Sequence, residues 1–199
     1  MLGQLSFRLL WRDDKDRGAR YKNPASPTHF GLYKLGPLEP LKWLERKVRS
    51  ISPAGTPLLY ALDESEDQVA HRIEFRLNSN RIPLTNENQD EVWGKPYDWS
   101  FEMRIPGGGF VLRASDYDLI APESGYKDQI VFVYSASLPA EQWQPYRREW
   151  YFVKFADGTY GRFEIDLDAW GESVKLYGYT NPKVGSRNLA APDPVPPGR

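Results

Sequence analysis

Apolar and polar residues alternate one by one through much of this sequence, and that period restricts the fold more than any other feature. In "HRIEFRL", Ile73, Phe75 and Leu77 fall on one side and Arg72, Glu74 and Arg76 on the other; in "WSFEMRI", Trp99, Phe101, Met103 and Ile105 oppose Ser100, Glu102 and Arg104. A period of two matches the two faces of a half-buried strand, not the turn of a helix. "QIVFVYS", from Gln129, is apolar almost throughout and reads as a more fully buried strand. Further strands are predicted in "QLSFRLLW" near the start, "PLLYALD" from Pro57 and "GFVLR" from Gly109, and the stretch from Arg148 to Tyr179 supplies three more. With about nine strands, the predicted fold class is mainly β: an antiparallel sandwich, or a jelly-roll-like variant of one.

One segment departs from the alternation. In "LEPLKWLERKVRS", Leu41, Leu44, Val48 and Ile51 recur at helical spacing, Lys42, Glu45, Arg46 and Arg49 lie outside that stripe, and Pro40 suits a first turn. This predicts one short amphipathic helix over residues 39–50. Its few cations read as a solvated face rather than a nucleic-acid contact. The intervening stretches "KNPASPTHFG", "SNRIPLTNENQDE", "PGGG" and "APESGYKD" are turn signals. The expected organisation is a single domain over residues 1–187, followed by a proline-rich tail, 188–199, that is extended or disordered.

The stretch "REWYFVKFADGTYGRFEIDLDAWGESVKLYGY" is the most informative. Asp157-Gly158 is a strong two-residue hairpin signal and predicts Val153 opposite Arg162, Tyr151 opposite Glu164 and Trp150 opposite Ile165. The break at Ala169 to Glu172 reads as a four-residue loop, placing Leu167 opposite Val174, Asp166 opposite Lys175 and Glu164 opposite Tyr177. In the resulting meander, Trp150, Phe152, Phe163, Ile165, Leu167, Val174 and Leu176 form a core face. The other face carries Tyr151, Val153, Phe155, Tyr160, Arg162, Glu164, Asp166, Lys175, Tyr177 and Tyr179. Rings interspersed with charged groups can stack on sugars and bond their hydroxyls. The candidate ligand-binding residues are therefore Tyr151, Tyr177 and Tyr179 for stacking, with Arg162 and Glu164 for hydroxyls. The competing expectation is that the helix, the early loops or a partner covers this face. The loop aromatics Trp93, Tyr97, Trp143, Tyr146 and Trp170 are expected to close the ends of the sandwich.

Catalytic and metal motifs fare poorly. Glu164, Asp166 and Asp168 recur every second residue, as acids on any polar strand face do, and Arg162 and Lys175 are expected to hold them ionised. The two histidines, His29 and His71, fit no zinc spacing, and neither a nucleophile elbow nor a phosphate-binding loop occurs. "NENQDE" offers Asn86, Asn88 and Asp90 to a cation, but Glu91 and Tyr97 stand where a calcium loop needs Gly and Glu. An irregular calcium site there, or in "DDKD" or "SDYD", is the remaining cofactor expectation; otherwise none is predicted.

Composition narrows the setting. The chain has 26 basic and 27 acidic residues and a net charge of -1, so no global field draws in nucleic acid. With no cysteine, disulfides and thiolate chemistry are excluded. No apolar run approaches the length of a membrane span, the N-terminus does not read as a signal peptide, and no Asn-x-Ser/Thr acceptor is present. The expected function is a non-catalytic binding or structural module of a bacterial envelope or extracellular protein, its partner a polysaccharide or another protein. The alternatives are a β-sandwich glycosidase or lyase, a subunit of a surface or capsid-like assembly, and a cytoplasmic location.

Overall fold

The computed structural model describes residues 39–62, 71–83, 85, 87–88, 94–115 and 118–190. The predicted strand at Gln4 to Trp11 lies outside them. Nine strands are described: β1 (Lys42–Val48), β2 (Leu58–Ala61), β3 (Arg72–Ser79), β4 (Trp99–Arg104), β5 (Gly109–Leu112), β6 (Gln129–Tyr134), β7 (Tyr146–Lys154), β8 (Tyr160–Asp168) and β9 (Ser173–Asn181). They form two antiparallel sheets, a five-stranded one ordered β1-β9-β8-β7-β5 and a four-stranded one ordered β2-β3-β4-β6. The fold is a β-sandwich, as the alternation predicts.

The core lies between the sheets. Ile73, Phe75 and Leu77 of β3 and Phe101 and Met103 of β4 meet Phe163, Ile165 and Leu167 of β8 and Val174 and Leu176 of β9, each at most 2% exposed. At one end, the ring of Tyr97 packs 5.0 Å from Trp143 and 5.7 Å from Trp170, and the guanidinium of Arg81 lies 4.9 Å from the Trp170 ring centre. The indole of Trp143 donates to the Tyr97 carbonyl at 2.9 Å. Tyr97, Trp143 and Trp170 thus pack together at an end of the sandwich, whereas Tyr146, expected to join them, begins β7 and is 56% exposed.

The predicted helix over residues 39–50 is corrected: the segment forms β1, paired with β9 from Lys42 opposite Thr180 to Val48 opposite Val174. Leu44 and Val48, which suggested a helix, are four residues apart, and a spacing of four returns to the same face in a strand as well as in a helix. Both are buried against the core. Pairing with β9 supplies the segment with ladder hydrogen bonds along its whole length, and tertiary context overrides the helical preference. Ile51 still reaches the core, because Ser50 turns the chain with a φ of 58° and the Ile51 amide bonds the Glu172 carbonyl.

The two hairpins of the meander differ in outcome. The β8–β9 register is as predicted, with Leu167 opposite Val174 and Glu164 opposite Tyr177. The β7–β8 register is one residue off: Tyr151 faces Phe163, Trp150 faces Glu164 and Phe152 faces Arg162. The loop has three residues, Ala156, Asp157 and Gly158, closed by a hydrogen bond from the Phe155 amide to the Thr159 carbonyl. The Gly158 amide bonds the Phe155 carbonyl, and Gly158 takes a φ of 80°, the arrangement of a turn followed by a glycine bulge. One extra loop residue exchanges the faces of β7. Tyr151, Val153 and Phe155 point into the core and Trp150 points outward, the reverse of the expectation.

Candidate outer-face platform of the five-stranded sheet

Strand registers set out the outer face as a grid. Successive rows run Lys47–Lys175–Asp166–Arg148, Glu45–Tyr177–Glu164–Trp150 and Trp43–Tyr179–Arg162–Phe152 across β1, β9, β8 and β7. Four of the five predicted ligand-binding residues, Tyr177, Tyr179, Arg162 and Glu164, share this face. Tyr151 does not: it is 5% exposed, its ring is edge-on to Phe110 at 6.1 Å, and its hydroxyl donates to Glu149. Burial, with Glu149 adding to it, raises the pKa of that hydroxyl.

Two residues that sequence reading missed join the platform. Trp150 arrives through the longer hairpin loop, and Trp43 through β1 being a strand. The residue that organises them is Arg162, wholly buried, with its guanidinium carbon 5.9 Å from the Trp150 ring centre and 5.7 Å from that of Tyr179. Arg113 approaches Trp150 at 5.3 Å, and Trp43 meets Tyr179 edge-on at 5.1 Å. Cations and rings thus follow one another in the order Arg113, Trp150, Arg162, Tyr179, Trp43. Each such contact contributes on the order of 0.5–2 kcal/mol, more where water is excluded, and fixes the rings against the sheet. Arg148 pairs with Glu164 and lies 3.8 Å from Asp166. Arg148, which sequence reading did not single out, is thus a partner of both acids.

Among the described residues, part of the outer face is covered by the chain itself. Phe152 and Tyr160 pack with Ala121 and Leu189, flanked by Leu41, Val111 and Tyr126. Leu189 belongs to a strap running on from β9: its amide bonds the Leu119 carbonyl at 2.8 Å, and Ile120 pairs with Asn188. The described residues thus include 188–190, the first three of the stretch predicted as a proline-rich tail. Asn181 anchors the strap from a fully buried position, its side-chain amide donating to the Asn188 carbonyl at 2.8 Å and to Glu39.

Hydrogen bonds from Ser186 and then Asn181, joined by Lys183 at 3.7 Å, hold the Glu39 carboxyl below its ordinary value of 4.5. A depressed value in the folded state means that this attachment is fully present above pH 4.5 and is lost as the pH falls through the lowered value. Acidification below 4.5 is therefore expected to lower the protection of the Leu189 amide, measured against the intrinsic exchange rate at each pH, before that of the core amides. Glu39→Gln should remove that step from the pH profile.

Two other polar clusters lie away from this face. His71, Asp157 and Thr159 converge, with His71 Nε2 at 2.7 Å from Thr159 Oγ1 and 3.1 Å from Asp157 Oδ2. One ring nitrogen serves both partners, whereas a nucleophile relay needs the acid and the hydroxyl on opposite nitrogens. Burial pushes the Asp157 carboxyl up, but the Thr159 hydroxyl and amide, together with His71, outweigh it and leave it lowered. The cluster pins the β7–β8 turn. On the four-stranded sheet, a groove of about 520 Å³ is lined by Asn78, Asn80, Asp98, Ser100 and Ser135. Bonds from the Ala136 amide, Ser135 and Asn80 occupy the Asp98 carboxylate and lower its pKa, so it is unsuited to act as a general acid.

Among the described residues, no three His, Cys, Asp or Glu side chains come together in a way that would hold a metal ion. His29, Trp93, "DDKD" and most of "NENQDE" lie outside the described residues. Asn88 uses its side chain to close a turn with Thr85 and Pro83. No family model, curated protein or solved structure matches the chain.

Proposed function

We propose that this chain is a non-catalytic binding module that holds polysaccharide on the outer face of its five-stranded sheet. The observation that carries this reading is the row of rings from Trp43 through Tyr179 to Trp150, held by the buried Arg162 and ending in a Trp43 that is 36% exposed. Rings already fixed against a sheet lose little freedom on meeting a flat sugar, and Glu45, Lys175 and Tyr177 stand beside them to bond hydroxyls. Glu164 and Asp166 are both drawn to Arg148, which favours an ordering role for these acids over the paired acid and base of a glycosidase. Polysaccharide is met in a cell envelope or outside the cell, and a cysteine-free chain suits that setting.

The test is binding to a panel of soluble polysaccharides by affinity electrophoresis and calorimetry. Trp43→Ala and Tyr177→Ala should each weaken binding by roughly 1–3 kcal/mol, about fivefold to 150-fold, with the unfolding midpoint nearly unchanged. Retention of no polysaccharide by the wild type would end this reading.

A further inference from the structure

We infer that β6 is the surface through which two copies of this chain join, pairing antiparallel across a two-fold axis to make one continuous sheet. Among the described residues the two sheets have four edge strands, β1, β5, β2 and β6. Exposed edges invite pairing with other chains, and proteins block them with charge, proline or shortness. β1 carries Lys42, Glu45, Arg46 and Lys47; β2 has four residues and follows Pro57; β5 has four and is bridged at Phe110 to Lys127. β6, "QIVFVY", has six residues, no charge and no proline.

Its backbone is turned the right way. The Ile105 amide bonds the Asp128 carbonyl, so even-numbered residues of this strand address β4, and Gln129, Val131 and Val133 direct their N–H and C=O groups to the open edge. Lys127 and Phe110 bond each other at the start of that edge, and no described residue bonds the backbone groups of the next three. Val131 and Val133 are 48% and 71% exposed, and Ile130, Phe132 and Tyr134 are only partly covered where they meet the core.

A second copy of the same strand suits this edge better than a charged one. Antiparallel self-pairing about an axis normal to the sheet keeps the two outer faces together. The register centred on Val131 opposite its symmetry mate sets Gln129 against Val133, and each of the three pairs can exchange two backbone hydrogen bonds. An uncharged strand meets no like charge in this arrangement. The valines of both copies would then form one ridge, and Ile130 would close over Phe132 of the other copy.

Sedimentation of the full chain from micromolar to submillimolar concentration tests this, with folding of each variant checked by circular dichroism. The wild type should form a dimer whose Val131 and Val133 amides gain exchange protection as concentration rises. Val131→Lys puts two lysines face to face at the axis, and Val133→Pro removes an outward amide without touching the β4 ladder; each should weaken dimerisation at least about tenfold. Mixing Val131→Lys with Val131→Glu should restore pairing. A wild type that stays monomeric throughout, dimers indifferent to both substitutions, or a charge-swapped mixture that does not pair would each overturn the inference.

Discussion

Tyr151→Ala is expected to lose roughly 3–5 kcal/mol of stability, whereas Tyr177→Ala should lose less than about 1. Both tyrosines belong to the same meander and look alike in sequence. Tyr151 is 5% exposed and packed against Phe110 between the sheets, so its removal leaves a cavity that the neighbouring strands cannot close. Tyr177 lies on the outer face opposite Glu45 and Glu164, where water replaces the ring. For a chain of this size the larger loss corresponds to a fall in melting temperature of roughly 10 °C. Denaturant titration of the two variants reads the difference directly. A mild Tyr151→Ala beside a severe Trp150→Ala would mean that the hairpin has a two-residue loop after all.

Gly178→Ala should be comparably damaging, although it adds only one methyl group. A Cβ at Gly178 would lie 1.9 Å from the Arg162 carbonyl oxygen and 2.8 Å from the Phe163 Cα. Both obstacles are backbone atoms of β8, so no rotamer change relieves them and the two central strands would have to separate. Overpacking against a fixed partner costs about 1–3 kcal/mol and more when backbone must move, so a loss of about 3 kcal/mol or more is expected. Because the displaced residue is Arg162, the Trp150 and Tyr179 rings should shift with it. Near-ultraviolet circular dichroism should therefore change even where some folded protein survives. Unaltered stability and an unaltered aromatic signal would contradict the close approach of β8 and β9.

The residues that misled sequence reading did so for identifiable reasons. The faces of β8 and β9 were legible because the loop from Ala169 to Glu172 has one length whichever way it is read, and charges at Glu164 and Asp166 forbid a slip. β7 was not, because Ala156-Asp157-Gly158 suits both a two-residue and a three-residue loop, and each choice gives β7 a plausible apolar face. Trp150 and Phe152 are as hydrophobic as Tyr151 and Val153, so composition alone could not choose between them. β1 was ambiguous because Leu44 and Val48 satisfy two periods at once; only the unpaired edge of β9 decides. The strap was hidden altogether. Leu189 is one apolar residue in a proline-rich stretch, and its place depends on Asn181 and Glu39, which are remote from each other in the chain.

The three-residue turn after β7 also bears on how this protein can diverge. Surface loops are ordinarily where insertions and deletions accumulate harmlessly. Here, losing one residue between Phe155 and Thr159 would turn nine residues of β7 inside out, exchanging Tyr151 and Val153 for Trp150 and Phe152 against the opposite sheet. It would also pull Asp157 away from His71. Related chains should therefore vary freely in the identity of residue 156 but hold the length of this loop constant, while the loop between β8 and β9 tolerates change only in steps that preserve its parity.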